Sequence, residues 1–185
     1  MITRCSWANN SLIEQEYHDQ QWGKPTYDDP LLFELLILEM MQAGLSWQTI
    51  LKKRESMRTH FDGYNVHKIA AYDQSKLEQL MTEPSIIRNQ NKLKAMINNA
   101  KMFIRVQKEF KSFSNYLWQF SDYTIVDNQP LKPEHIPTQS PLSERIVQDM
   151  KQRGFKFIGP TMIYSYLEAV GVINNHLMSC FVRKK

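Results

Sequence analysis

Residues 29–47 read DPLLFELLILEMMQAGLSW, and this stretch decides the fold class. Asp29-Pro30 supplies an N-cap and a first-turn proline. Leu31, Leu32, Phe33, Leu35, Leu36, Ile37 and Leu38 then form a strongly apolar helix that runs to Met41 and stops at Gly44. Ser46 caps a second helix from Trp47 to about His60. Two helices joined by a short glycine turn, with no strand-like alternation, point to an all-α chain.

The same signals recur on both sides. Ser11 and Glu14 spell a capping box for a short helix ending near His18. Short helices are expected at Val66–Tyr72 and Ser75–Met81. A long one, running roughly from Gln90 to Phe110, is expected to bury Leu93, Met96, Ile97, Ala100 and Ile104 on one stripe. Tyr116–Phe120 reads as a brief helix. Asp122–Pro141 carries Pro130, Pro133, Pro137 and Pro141 and reads as an irregular crossing segment. Ser140-Pro141 opens a helix to Arg153, and Gly159-Pro160 precedes another over Thr161–Val170. Asn174 is expected to cap a last helix carrying His176 and Cys180.

A chain of 185 residues suits one domain or two fused subdomains. Residues 1–30 lack the apolar stretch of a secretory signal, and no later run is long enough for a membrane span. A cytoplasmic location is therefore expected, with no membrane partner. Net charge +4 is compatible with a polyanionic partner without requiring one.

Cys5 and His18 at one end, and His176 and Cys180 at the other, include every cysteine in the chain. The Cys-x12-His and His-x3-Cys pairs read as a structural zinc clasp joining the termini. A Cys5–Cys180 disulfide with idle histidines is one rival reading, disfavoured in a reducing cytosol. Two unrelated packed thiols are the other. His60, His67 and His135 show no matching ligand spacing, and a four-ligand shell leaves no open position for a hydrolytic metal.

Two further features point to a site. Gly154–Thr161 joins two helices, so its glycines supply a tight hairpin whose amides can face an anion such as phosphate; an ordinary helix–helix turn explains it equally well. Lys151, Arg153 and Lys156 lie beside it. Glu39 falls late in an apolar helix, where a carboxylate needs a partner or a function, unless it lies on a solvated edge. Trp7, Tyr17, Trp22 and Trp47 cluster around the same part of the chain. They form either core or the walls of a pocket for a flat cation.

Arg4-Cys5-x-Trp7, Tyr17-His18-x3-Trp22-Gly23, Gln42-Ala43-Gly44-Leu45-Ser46-Trp47, Arg153-Gly154-Phe155-Lys156-Phe157 and His176-x3-Cys180 together resemble the 3-methyladenine DNA glycosylase I family, over nearly the whole chain. That family belongs to the helix-hairpin-helix glycosylases. The resemblance implies an all-helical, two-lobed domain spanning 1–185, with its hairpin at about 154–161. It would flip alkylated adenine from double-stranded DNA and hydrolyse the N-glycosidic bond. It also implies that Glu39 and Tyr17 contact the base edge, with Glu39 the candidate catalytic carboxylate. Trp47 would stack on the base, Trp7 and Trp22 would complete the walls, and Zn²⁺ would sit on Cys5, His18, His176 and Cys180. Gly44 and Leu45 match the wedge that fills the flipped base's place, and Gly154, Lys156 and Gly159 the backbone grip. Arg88 and Lys92 are secondary candidates for DNA contact, against the plain reading of a solvated face.

The wider superfamily often carries an aspartate shortly after the hairpin, whereas this chain reads Val172-Ile173-Asn174-Asn175-His176 there. No lysine is placed for a covalent imine, so a monofunctional, nucleoid-associated monomer is expected. The alternative is a zinc-stabilised DNA-binding module without activity.

Overall fold

In a computed structural model, residues 2–184 are described, and most of them are helical. Nine α-helices occur among them: α1 Leu12–Gln20, α2 Asp29–Gln42, α3 Trp47–His60, α4 Val66–Ala70, α5 Gln74–Thr82, α6 Gln90–Phe110, α7 Phe113–Trp118, α8 Pro141–Gln152 and α9 Pro160–Ala169. The central element is α2, whose residues 32–41 are all buried, Glu34 and Glu39 included. It packs against α3, α6, α7 and α9, which explains why its sequence shows no broad polar face. A second, smaller apolar cluster under the two termini gathers Cys5, Tyr17, Trp22, Leu51, Leu177 and Cys180.

Local capping accounts for most boundaries. The Ser46 hydroxyl accepts from the Thr49 amide at 3.2 Å and opens α3, and the Ser11 hydroxyl accepts from the Glu14 amide at 3.4 Å and opens α1. At α2 the cap is displaced by one residue from the expected Asp29. Asp28 accepts from the Leu31 amide at 3.1 Å. The Asp29 carboxylate instead accepts from the Phe113 and Ser114 amides, both at 2.8 Å, and so holds the start of α7 from 84 and 85 residues away.

Among the described residues the expected last α-helix does not form. Ile173–Asn174 forms a short parallel pairing with Val126–Asp127, inside the proline-rich crossing segment. The Val126 amide donates to Val172 O at 2.9 Å, and this extended pairing competes with helix formation. Asn174 does cap locally, its side-chain oxygen accepting from the His176 amide at 3.2 Å. His176 and Cys180 then lie on a turn, with the Cys180 amide donating to Leu177 O at 2.8 Å.

Candidate active site

The C-terminal half of α2 and the start of α3 face α1 and α9 across a cleft of about 330 Å³. Trp7, Tyr17, Trp22, Glu39 and Trp47, all expected from sequence, line it together. Trp7 meets Trp22 edge-on at 5.1 Å between centroids, and Tyr17 lies 5.2 Å from Trp47 at a 56° tilt. The rings therefore form a wall with an open side, since Trp7 and Trp47 are only half-buried.

Glu39 is 7% exposed and takes part in no hydrogen bond or ion pair with the described residues. Burial, then the nearby charge of Glu168, pushes its carboxyl up to about 8. The Tyr17 hydroxyl is buried beside it without a hydrogen-bonding partner among the described residues. Its pKa also lies well above the ordinary value, from burial first and from Glu39 second. A buried carboxylate and hydroxyl, both unpartnered and both lining an aromatic cleft, suit a flat ligand that carries positive charge and donates hydrogen bonds.

Glu168 on α9 belongs to the same cleft and was not anticipated. The Asn175 side-chain amide donates to it at 2.6 Å, and burial nevertheless raises its carboxyl to about 7. Its signal was present in the sequence, a carboxylate among Tyr164, Tyr166, Leu167, Ala169 and Val170, the same kind of anomaly that marked Glu39. Glu14, Gln42, Ile136 and Ser165 complete the lining.

Trp22 joins this cleft to the termini, its ring meeting His176 edge-on at 4.6 Å. Cys5, His18, His176 and Cys180 are all buried, with ligand atoms within 4.8 Å of one another, so the four can hold a metal ion. Cys180 Sγ lies 3.5 Å from His18 Nε2 and 3.6 Å from His176 Nδ1, and Cys5 Sγ lies 3.8 Å from His176 Nδ1. Both cysteines are free thiols, so the disulfide reading does not hold. Each imidazole is oriented through its other nitrogen, His18 Nδ1 by Asp19 at 2.8 Å and His176 Nε2 by Trp22 O at 3.1 Å. Arg4 bonds Asp19 in turn at 2.8 Å.

Two loops flank the opposite ends of α2 and α9. In the α2–α3 turn, Gly44 adopts φ +78° in open surroundings, and Leu45 is 41% exposed. In the α8–α9 loop, Gly154 (φ +94°) reverses the chain and Lys156 is exposed, while Gly159 is extended at φ −151°. The first intrahelical bond of α9 runs from the Ile163 amide to Gly159 O at 2.9 Å, leaving the Thr161 and Met162 amides without an intrahelical partner. The Lys156 amide is not free for an anion, because Asn99 Oδ1 accepts from it at 2.8 Å. Arg88 is exposed, but Lys92 is 4% exposed and points inward, which removes it as a DNA contact.

This architecture is that of solved 3-methyladenine DNA glycosylases. A structure from Staphylococcus aureus, described as showing the structural basis of 3-methyladenine recognition, superposes with a TM-score of 0.95 at 36% identity, covering 98% of this chain and 97% of that one. The DNA-3-methyladenine glycosylase of Haemophilus influenzae is 38% identical over 180 residues, 97% of each chain. The DNA-3-methyladenine glycosylase 1 of Escherichia coli K12 is 37% identical over 179 residues, 97% of this chain and 96% of that one. The family model for methyladenine glycosylase matches residues 7–184, and the chain belongs to that family.

Proposed function

We propose that this protein excises 3-methyladenine from alkylated double-stranded DNA, the first step of base excision repair. The observation that carries the reading is Glu39, a buried carboxylate without a cationic partner, set among Trp7, Tyr17, Trp22 and Trp47. Methylation at N3 makes the adenine a cation while it is still attached to the sugar. Glu39 compensates that charge and Tyr17 contacts the base edge. Trp47 stacks on the ring, and Trp7 and Trp22 close the walls. Glu39 in its ionised form therefore favours the alkylated base over neutral ones.

Cleavage is heterolytic. The C1′–N9 electron pair goes to the base, which leaves neutral, and water adds at C1′ with loss of a proton, leaving an abasic sugar. Because the cationic base is a good leaving group, little acid catalysis is required. No imine forms, so the enzyme is monofunctional. Flipping the nucleotide costs a few kcal/mol, least for a damaged, weakly paired base. Leu45, presented by Gly44, fills the vacated space. The α8–α9 loop acts as a helix-hairpin-helix motif: Gly154, Lys156 and Gly159, with the first amides of α9, grip the phosphate backbone without reading sequence.

The donor set of the terminal cluster fits zinc. A tetrahedral shell with Zn–S of about 2.3 Å and Zn–N of about 2.0–2.1 Å sets neighbouring ligand atoms roughly 3.6 Å apart. Three of the four sulfur–nitrogen separations, 3.5, 3.6 and 3.8 Å, agree with that spacing, and all four ligand atoms lie within 4.8 Å of one another. Cys5, His18, His176 and Cys180 would hold the ion as a closed, structural shell that ties the N-terminal segment to the turn after β2 (Ile173–Asn174) and supports Trp22. On this reading residues 1–185 act as one two-lobed domain, working as a monomer in the cytoplasm at the nucleoid.

The test is chromatography of bases freed from methylated duplex DNA, beside an enzyme-free control. Release of 3-methyladenine above the control is the expected result. No release by folded, metal-loaded protein would leave a binding module in its place. Elemental analysis of the purified protein is expected to find one zinc per chain, and none in folded protein overturns the clasp.

A further inference from the structure

Helix α6 carries buried polar side chains that take no part in the cleft. Lys92 Nζ donates to Met41 O at 2.8 Å and to Ala43 O at 2.6 Å, at the end of α2 and in the turn that presents Leu45. Two turns further along, Asn99 Nδ2 donates to Lys156 O at 2.9 Å, and its Oδ1 accepts from the Lys156 amide at 2.8 Å. Asn98 adds a bond from Nδ2 to Gly154 O at 2.8 Å. Lys92 is 4% exposed and Asn99 fully buried, so neither can touch DNA.

Burying an ammonium is costly unless its protons are bonded, and no carboxylate pairs with Lys92 among the described residues. Its two acceptors are carbonyls at the negative end of α2, groups that an α-helix otherwise leaves unsatisfied. Lys92 therefore fixes the last turn of α2 and the backbone that leads into Gly44-Leu45. Asn99 does the same for the α8–α9 loop by bonding both backbone groups of Lys156. Positions 92 and 99 share one face of α6, about 10 Å apart along its axis at 1.5 Å per residue.

From this geometry we infer that α6 is a gauge between the two loops, with Lys92 the positioning residue for the Leu45 turn and Asn99 the positioning residue for the hairpin. The inference rests on the glycosylase reading above, in which Leu45 enters the duplex while the hairpin holds its backbone. Both must engage the same stretch of DNA at once, and a misplacement of about 1 Å can cost 10²-fold in rate. A rigid helix bonded to both loops supplies the fixed spacing.

The experiment is a double-mutant cycle on single-turnover release from duplex DNA containing 3-methyladenine, with free 3-methyladenine affinity measured by tryptophan fluorescence on the same proteins. Lys92→Met is expected to slow release at least tenfold and leave free-base affinity within twofold. Leu45→Ala alone is also expected to cost at least tenfold, but less than twofold when added to Lys92→Met, because the turn it acts from is already displaced. Asn99→Ala and Lys156→Ala are expected to show the same non-additivity. If Lys92→Met does not fold, Lys92→Gln, which keeps one donor, carries the same cycle. Fully multiplicative losses, or an equal loss of free-base affinity, overturn the gauge while wild-type activity stands. Wild-type protein that releases no base overturns the glycosylase reading itself.

Discussion

Glu34 and Glu39 stand five residues apart on the same helix, and both are buried, at 4% and 7% exposure. Around Glu34 the molecule supplies charge: Arg54 Nε and Arg58 Nη2 each lie 2.7 Å from its Oε1. Around Glu39 it supplies aromatic rings, an unpartnered Tyr17 hydroxyl and a second carboxylate, Glu168. Desolvation of a charge must be compensated somewhere. At Glu34 the compensation is built into α3, and the residue is part of the fold. At Glu39 the fold supplies none among the described residues, and on the proposed function a cationic base does so.

Substitution at Glu34 should produce the larger effect on the fold. Glu34→Gln is expected to cost about 2–3 kcal/mol, a loss of roughly 4–12 °C in Tm for a chain of this size, because Arg54 is left poorly compensated. Calorimetry measures the loss, and base release per folded molecule should stay within a few-fold of wild type. At the other region, Trp47→Ala should weaken 3-methyladenine binding by about 1–2 kcal/mol, roughly 5- to 30-fold, through lost stacking. A fluorescence titration reads this out, and unchanged affinity would remove Trp47 from the base-binding wall.

The contrast also has a pH signature. The folded-state carboxyl of Glu39 is raised from 4.5 to about 8, so between these values the folded protein holds a proton that the unfolded chain gives up. Stability from this residue is complete below about pH 4.5 and is lost as pH rises through about 8. Glu39→Gln should therefore leave stability near pH 4.5 unchanged and raise it at pH 9 by about 1–2 kcal/mol, as denaturant midpoints at the two pH values will show. The smallest expected effect is that of Tyr17→Phe, which removes a buried hydroxyl with no protein partner. It should stabilise the free protein by no more than about 1 kcal/mol while weakening the base complex by a similar amount. A loss of stability instead would mean that the hydroxyl is bonded in the free protein.

The sequence made both regions partly legible. Helices α3 and α6 were legible in approximate extent because helix caps act locally: the Thr49 amide donates to Ser46, as expected, and the Lys92 amide to Asn89, a cap not anticipated from the sequence. The aromatic cleft was readable because Glu39 stands in an apolar helix near a cluster of aromatic residues; the same test would have found Glu168 in α9, and also Glu34, which Arg54 and Arg58 pair within the fold. Contacts between distant residues were hidden. Asp29 looked like a cap because its true partners, Phe113 and Ser114, are 84 and 85 residues away. His176-x3-Cys180 has helical spacing but sits on a turn, since Ile173–Asn174 pairs with Val126–Asp127. Lys92 resembled a surface lysine because nothing local shows that the end of α2 lies within its reach.

Glu39 has no hydrogen-bonding or ionic partner among the described residues, and on the proposed function the cationic base is that partner. Single-turnover release of 3-methyladenine from duplex DNA by wild type and Glu39→Gln, compared at pH 8 with folding verified by circular dichroism, tests it most directly. Loss of one fully desolvated charge pair predicts a rate lower by about 10²-fold, equivalent to about 2.7 kcal/mol. Equal rates from the two proteins would leave Glu39 as an ordinary buried acid with no part in base recognition.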